Sequence, residues 1–135
     1  VLEIAKEKTK NADLEIEYIE TSSANLPFID STFNEVVSSL VFHHLPTEVK
    51  RKTIQEIYRV LKKGGGFLLA DFGKRKGLIL YILDCVTKFL NLPESKTLQD
   101  NLEGKLPTWL EETGFKVKEI SKPAKGVHFL LGEKL

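Results

Sequence analysis

The stretch Leu26–Gly73 reads LPFIDSTFNEVVSSLVFHHLPTEVKRKTIQEIYRVLKKGGGFLLADFG, and its pattern predicts a strand, a helix and a second strand. The first strand is predicted over Glu35–Phe42, because a nearly unbroken apolar run suits a strand buried on both faces of a parallel sheet. The helix follows with apolar residues at 3.6-residue spacing from Val49 to Leu61, and Gly64 provides its left-handed stop. The second strand is predicted over Gly66–Phe72, which completes a βαβ unit.

The composition describes an ordinary single domain. The chain has 135 residues, of which 41% are hydrophobic, so residues 1–135 can bury one core. The 20 basic and 19 acidic side chains nearly balance, which argues against nucleic acid as a partner. A single cysteine excludes an internal disulfide and suits a reducing cytoplasm. The charged start of the sequence is not the pattern of a signal peptide, and we expect no transmembrane segment.

The C-terminal part of the sequence predicts a helix followed by a hairpin. Residues 93–104 are polar and are interpreted as a loop. A short helix is predicted over Leu106–Thr113, with Pro107 in its first turn and Gly114 as its stop. Residues 115–120 and 127–132 alternate as two strands, which predicts an antiparallel C-terminal hairpin.

Two ordered motifs carry a resemblance to a known family. The pattern LPFxDxxFxxVxSxxVxHHL, followed by EIxRVLKxGGxxLLADFG, resembles the middle of class I S-adenosylmethionine (SAM)-dependent methyltransferases. The similarity is greatest to the small-molecule branch that includes ubiquinone/menaquinone-biosynthesis C-methyltransferases. It implies an α/β, Rossmann-like methyltransferase fold with a mostly parallel sheet and an antiparallel C-terminal hairpin. It also implies SAM as the cofactor and a small molecule as the methyl acceptor.

The sequence departs from this family at its start. Residues 1–13 are predicted as a helix that has no N-cap before Val1, as if the chain were truncated at the N-terminus. The family opens with a strand and a glycine-rich turn that approaches the cofactor, and the only glycine cluster here, Gly64–Gly66, follows a helix. We therefore expect one partial methyltransferase-like domain that alone does not bind SAM with ordinary affinity.

This departure also affects the expected sheet. Residues 14–20 alternate apolar and acidic side chains, which predicts a strand. The family places its first two strands between this strand and the strand at 35–42, and backbone hydrogen bonds cannot cross such a gap. Either the strand at 14–20 moves to pair with 35–42, or a partner chain completes the sheet, or these residues are only part of the working polypeptide.

Four residues are candidates for cofactor binding by resemblance. Ser22 stands where the family carries an aspartate that binds adenine, and Ser23 follows it. Ser39 and Leu40 lie near the end of the first predicted strand. A neutral hydroxyl bonds less strongly than a carboxylate, so Ser22 could equally belong to a plain turn after a strand.

Three residues are candidates for catalysis. His43, His44 and Asp71 lie at the carboxyl ends of the two predicted parallel strands, where open α/β sheets bind ligands. Either histidine could remove a proton from the acceptor, and Asp71 could orient a histidine or hold a hydroxyl. Alternatively, these side chains only cap a helix and anchor a loop. A Ser39–His44–Asp71 hydrolase lacks the GxSxG elbow. The following residues show no metal-binding spacing: His43, His44, Cys85 and His128.

The segment Leu78–Leu92 is apolar on nearly every side of its predicted helix and must bury most of its surface. It could be a lid over the substrate, an oligomer interface or part of the core. Two assemblies therefore remain open: a homodimer formed through residues 78–92, or a partner chain that completes the sheet. The alternative to an enzyme is a catalytically inactive methyltransferase-like module for interaction or dimerisation. A dinucleotide-binding domain lacks its glycine fingerprint.

Overall fold

The computed structural model describes residues 2–10, 15–73, 85–86, 89, 93–120 and 126–135. Its helices and strands, in chain order, are α1 (Leu2–Thr9), β1 (Phe33–Ser39), a 3₁₀ turn (Phe42–His44), α2 (Thr47–Val60), β2 (Leu61–Phe72), α3 (Pro93–Leu102), α4 (Lys105–Thr113), β3 (Phe115–Glu119) and β4 (Val127–Lys134). The predicted helix at 78–92 lies almost entirely outside the described residues.

The four strands form one mixed sheet in the order β1-β2-β4-β3. Strands β1 and β2 are parallel, with Val37 opposite Leu68, which confirms the predicted βαβ unit. Strand β4 runs antiparallel to both β2 and β3, which confirms the C-terminal hairpin. The prediction of a mostly parallel sheet was wrong for the described strands, because the hairpin inserts β4 beside β2 and so adds two antiparallel pairings to one parallel pairing.

Residues 15–20 are not a strand, which corrects the prediction for that segment. Ile16 and Ile19 are exposed, so the alternating pattern does not correspond to a buried face here. Tyr18 instead contacts α1: its hydroxyl meets that of Thr9, and the ammonium group of Lys6 lies 5.8 Å from the centre of its ring. The segment therefore packs on its neighbour in sequence, and the pairing with β1, which was one of the three alternatives, is not formed.

The glycine cluster lies within β2 and does not end α2. The helix ends at Val60, and the backbone N–H of Leu61 bonds the carbonyl of Ile57. Leu61 is fully buried and already pairs with Phe33, so burial of its side chain outweighs another helical turn. The register then jumps from that pair to Glu35 opposite Gly66, and Gly64, at a φ of 77°, allows the bulge.

The core lies on one face of the sheet, between the strands and helices α2 and α4. Alternate residues of β2 face it, so Phe67 and Leu69 are buried. Trp109 and Leu110 of α4 cover the same face, and Gly114 ends that helix as predicted. The buried cluster consists of Phe42, Ile54, Ile57, Leu61, Phe67, Leu69, Leu106, Trp109, Leu110, Phe115 and Leu130.

The opposite face of the sheet is open within the described residues. Val37, Leu68 and Leu131 lie in one row across β1, β2 and β4, and Val37 is 65% exposed while Leu131 is 36% exposed. We call this row the open face. In the described part of the chain, no helix has both the length and the apolar character needed to cross a membrane.

The charged pair Glu56–Arg59 on α2 holds the loop that precedes β1 through hydrogen bonds. Glu56 accepts hydrogen bonds from Arg59 and from the backbone N–H of Leu26, at 2.7 and 2.8 Å. Arg59 in turn donates to the carbonyl of Phe28 and to the carboxylate of Asp30, both at 2.8 Å. The LPFxD and EIxR motifs are thus two halves of one contact, which positions the turn at residues 22–25.

We expect Glu56→Gln to lower the free energy of unfolding at neutral pH by about 1 kcal/mol, because both partners are partly solvated. Hydrogen bonds from Arg59, and then from the N–H of Leu26, hold the pKa of Glu56 at about 2 rather than 4.5. A depressed pKa adds stability above about pH 4.5 that is lost as the pH falls toward 2. Urea unfolding across this range should therefore show the difference between Glu56→Gln and wild type shrinking as the pH falls.

The matched control is Glu112→Gln, since Glu112 pairs with Arg51 on the exposed surface, 3.1 Å away. We expect this control to change stability by less than about 0.5 kcal/mol. Equal effects of the two substitutions at neutral pH, or a Glu56→Gln difference that stays constant with pH, would contradict the assignment.

Candidate functional site

The candidate site lies where the parallel strands β1 and β2 end. The backbone N–H of Leu40 bonds the carbonyl of Ala70 at 2.8 Å and extends the pairing by one residue. Leu40 has a φ of 55°, a conformation that residues other than glycine rarely adopt and that is concentrated at functional sites. The chain then enters the 3₁₀ turn Phe42–His44, and the backbone N–H of Phe42 bonds the carboxylate of Asp71 near the end of β2.

Asp71 is the centre of this site. Its side chain is only 1% exposed, and its two oxygens accept four hydrogen bonds. The donors are the backbone N–H groups of Phe42 and Phe72, both at 2.8 Å, the ring Nδ1 of His43 at 2.9 Å, and the amide of Asn101 at 3.1 Å. Asp71 therefore joins both strand ends and α3 through one buried carboxylate.

The contact with Asp71 determines the tautomer of His43. An ionised carboxylate only accepts hydrogen bonds, so Nδ1 carries a hydrogen and Nε2 of the neutral ring keeps its lone pair. The ring is 14% exposed, and its centre lies 4.8 Å from that of Phe72. A histidine oriented by a buried carboxylate through Nδ1 is the usual arrangement of a general base.

The two adjacent histidines differ in their surroundings. His44 is exposed, and its ring centre lies 3.9 Å from that of His43. Within the described residues, Asp71 bonds His43 and not His44. Ser39 is exposed and makes no side-chain hydrogen bond to His44 or Asp71 in this part of the chain, so the geometry gives no support to a Ser39–His44–Asp71 triad.

The predicted cofactor residues lie in two places. Leu40 is exposed next to the 3₁₀ turn. The exposed Ser22 accepts a hydrogen bond from the N–H of Ala24 at 3.3 Å, and the hydroxyl of Ser23 contacts that of Thr53 on α2 at 2.9 Å. Ser22 is therefore available to a ligand, whereas the hydroxyl of Ser23 attaches the turn to α2.

A buried lysine that the sequence reasoning missed supports the site. Lys50 is fully buried on α2, and its ammonium group donates to Asn101 Oδ1 at 2.9 Å and to the carbonyl of Thr97. It also lies 3.7 Å from the carboxylate of Asp100. Hydrogen bonds therefore run from Lys50 through Asn101 to Asp71, which also holds His43.

Burial and charge oppose each other in this network. Burial lowers the pKa of Lys50, while the carboxylates of Asp100 and Asp71 act in the opposite direction. Burial alone would raise the pKa of Asp100, but hydrogen bonds from Thr47 and Lys105 hold it below its ordinary value. The spacing of Lys50 with Thr53, Ile54 and Ile57 was the available signal, because these positions share one helix face.

A cavity of about 270 Å³ lies beside Asp71, on the core face of the sheet. Its wall includes the side chains of Leu69, Phe72, Leu106, Pro107, Leu130, Asp71, Asn101, Glu119 and His128, together with Gly73 and Gly104. Within the described residues, no three or more histidine, cysteine, aspartate or glutamate side chains cluster in a way that could hold a metal ion.

Comparisons with known proteins agree on one family. The sequence model of the Methyltransferase domain family matches residues 1–69. A ubiquinone/menaquinone biosynthesis C-methyltransferase from Haemophilus ducreyi is 36% identical over 76 residues, which cover 55% of this chain and 29% of that protein. The enzyme of the same description from Blochmanniella floridana is 32% identical over 96 residues, covering 70% of this chain and 37% of that one.

Solved structures share the fold. The YcgJ protein of Bacillus subtilis superposes with a TM-score of 0.70 at 17% identity, covering 98% of this chain and 77% of that one. A SAM-dependent methyltransferase from Methanosarcina mazei gives 0.68 at 21% identity, covering 98% and 76%. At these identities the likeness shows the fold alone. The chain spans about a third of the length of the curated relatives it matches.

Proposed function

Since the chain belongs to the Methyltransferase domain family, we propose that residues 26–73 form the acceptor side of a site that methylates a small molecule with SAM. The observation that carries this proposal is the His43–Asp71 pair at the carboxyl ends of two parallel strands. The names of the curated relatives, which describe C-methyltransferases of quinone biosynthesis, support the same reaction class.

The residues of this chain fit part of what SAM requires. The exposed hydroxyls of Ser22 and Ser39 and the exposed Leu40 could contact the cofactor, while Ser23 holds the turn through Thr53. The sequence has no glycine-rich turn between a strand and a helix. We therefore infer that these 135 residues alone bind SAM weakly.

When bound, SAM supplies an electrophilic methyl group, so the protein has to align the acceptor, exclude water and accept a proton. We assign the proton to Nε2 of His43, because Asp71 holds Nδ1 and stabilises the charged ring. We assign His44, which is exposed beside it, to contact with the acceptor.

A second candidate function is an inactive methyltransferase-like module for interaction or dimerisation. The open face favours it, because Val37 and Leu131 expose apolar surface that is normally covered in an α/β sheet. A homodimer through residues 78–92, or a partner that completes the sheet, would also fit an interaction module. We keep the cytoplasm as the expected location, on the basis of the single cysteine.

Calorimetric titration of the native polypeptide with SAM, combined with its intact mass, separates the two functions. The enzyme proposal expects binding heat that saturates at one SAM per chain. A native mass of 15.3 kDa together with no binding heat would contradict the enzyme proposal. A longer native chain that carries a glycine-rich N-terminus and binds SAM would contradict the inactive module.

A further inference from the structure

The cavity beside Asp71 has an apolar body and one polar end. Its apolar lining includes Leu69, Leu106, Pro107 and Leu130. The polar end includes His128 of β4, which lies opposite Asp71 in the sheet register and belongs to neither the His43 pair nor the lysine network. At about 270 Å³, the cavity is close to the lower limit for small-molecule sites and suits a ligand of one or two rings.

His128 is fixed from two sides. Its Nδ1 lies 2.7 Å from the Oε1 of Glu119 on β3, and its side chain is only 16% exposed. The imidazole also occupies the space that a side chain at Gly73 would need: a Cβ there would lie 2.2 Å from His128 Cδ2. Glycine at position 73 is therefore required for the ring to hold this position beside the cavity.

Among the described residues, no hydrogen-bond partner reaches Nε2 of His128, so the arrangement offers this atom to a ligand. Because the carboxylate of Glu119 accepts the hydrogen on Nδ1, Nε2 of the neutral His128 ring carries a lone pair. Asp71 already accepts hydrogen bonds from four donors, and the Oδ1 of Asn101 accepts one from Lys50. The carboxylates of Asp71 and Glu119 in the wall disfavour a ligand with a negative charge.

We propose that this cavity binds a neutral molecule with an apolar body and one hydroxyl group, and that the hydroxyl donates to Nε2 of His128. The proposal stands apart from the proposed function, because His43 and His44, which we assign to the methyl acceptor, are not among the residues that line the cavity. His128 is then a specificity-determining residue, because a buried acceptor left without a donor lowers affinity for ligands that lack the hydroxyl.

The test is an NMR titration of the full chain with cyclohexanol and with methylcyclohexane, which replaces the hydroxyl by a methyl group of similar size. We expect cyclohexanol to bind about tenfold more tightly, in line with one hydrogen bond to a buried acceptor, and to shift the Nε2 resonance of His128. Equal affinities, no shift at His128, or tighter binding of the cationic cyclohexylammonium would overturn the assignment.

Two variants sharpen the test. His128→Phe keeps an apolar ring but removes the acceptor, so the preference for cyclohexanol should disappear. Glu119→Gln still offers an oxygen to Nδ1–H of His128, so the preference for cyclohexanol should persist. The proposal is wrong if His128→Phe retains this preference, or if Glu119→Gln abolishes it in a folded protein. The two proposals can fail separately: cyclohexanol binding by a native polypeptide of 15.3 kDa that shows no SAM binding would refute the enzyme proposal and leave the cavity assignment intact.

Discussion

Replacing Asp71 by alanine should lower the free energy of unfolding by about 3–5 kcal/mol, because four donors lose one buried acceptor. The backbone N–H of Phe42 and the amide of Asn101 would be left in places where water does not reach them easily. The 3₁₀ turn would also lose its attachment to β2, which frees His43. Chemical denaturation measures the first effect, and the His43 ring resonances measure the second.

Two further variants make this result specific. Asp71→Asn keeps one oxygen acceptor, so it should cost less than alanine and keep the protein folded if the alanine variant fails to fold. Asp30→Ala is the exposed control, since this carboxylate, with its side chain 76% exposed, contacts only Arg59 among the described ion pairs. An Asp71→Ala protein within about 1 kcal/mol of wild type would contradict the central position of this carboxylate.

The second large effect is expected for Lys50→Met, which should lower the free energy of unfolding by about 2–4 kcal/mol. Methionine fills much of the same volume, so the loss reports mainly the charge and the hydrogen bonds. The carbonyl of Thr97 and the Oδ1 of Asn101 would lose their shared donor, and Asp100 would lose its buried cation. Urea unfolding monitored by circular dichroism measures this effect.

Lys52→Met is the matched control, because Lys52 is exposed two residues further along the same helix. We expect it to change stability by less than about 0.5 kcal/mol. Adding Asp100→Asn to Lys50→Met should recover part of the loss, since a carboxylate that has lost its buried cation and keeps only Lys105 as an ion-pair partner is then removed. If both lysine variants behave alike, or if the double variant is simply additive, the buried network does not stabilise the fold as described.

The sequence predicted the central unit correctly because its signals are local. The apolar run before His43, the periodic face of α2 and the second apolar run define two parallel strands and their connection. Two neighbouring parallel strands end at the same edge, so the proximity of His43 and Asp71 follows from the topology. The choice between His43 and His44 does not, since it depends on how the 3₁₀ turn winds after Leu40.

The other residues of the site could not be predicted from local patterns. Residues 93–104 were interpreted as a loop because they are polar, yet Pro93–Leu102 is helical and buries Asp100 and Asn101. Those polar side chains are satisfied by Lys50, which is 51 positions away from Asn101, so no local period marks them. The pairing of His128 with Glu119 likewise depends on the register of the hairpin.

The misplaced strand and helix stop have the same origin. An alternating pattern at residues 15–20 favours a strand only when a neighbouring strand offers its edge, and Tyr18 packs against α1 instead. Gly64 has the left-handed conformation expected of a helix stop, but the burial of Leu61 ends α2 earlier and leaves Gly64 in the bulge. In both cases a tertiary contact outweighs a local preference.

The central claim is that the carboxyl edge of β1 and β2 faces SAM and its acceptor. It is tested most directly by following backbone amide resonances of the native polypeptide during a SAM titration. We predict saturable shifts at Ser22, Ser23 and Leu40 and in the turn that carries His43. Saturable binding that shifts only residues remote from this edge, or no shift anywhere at millimolar SAM, would contradict the account.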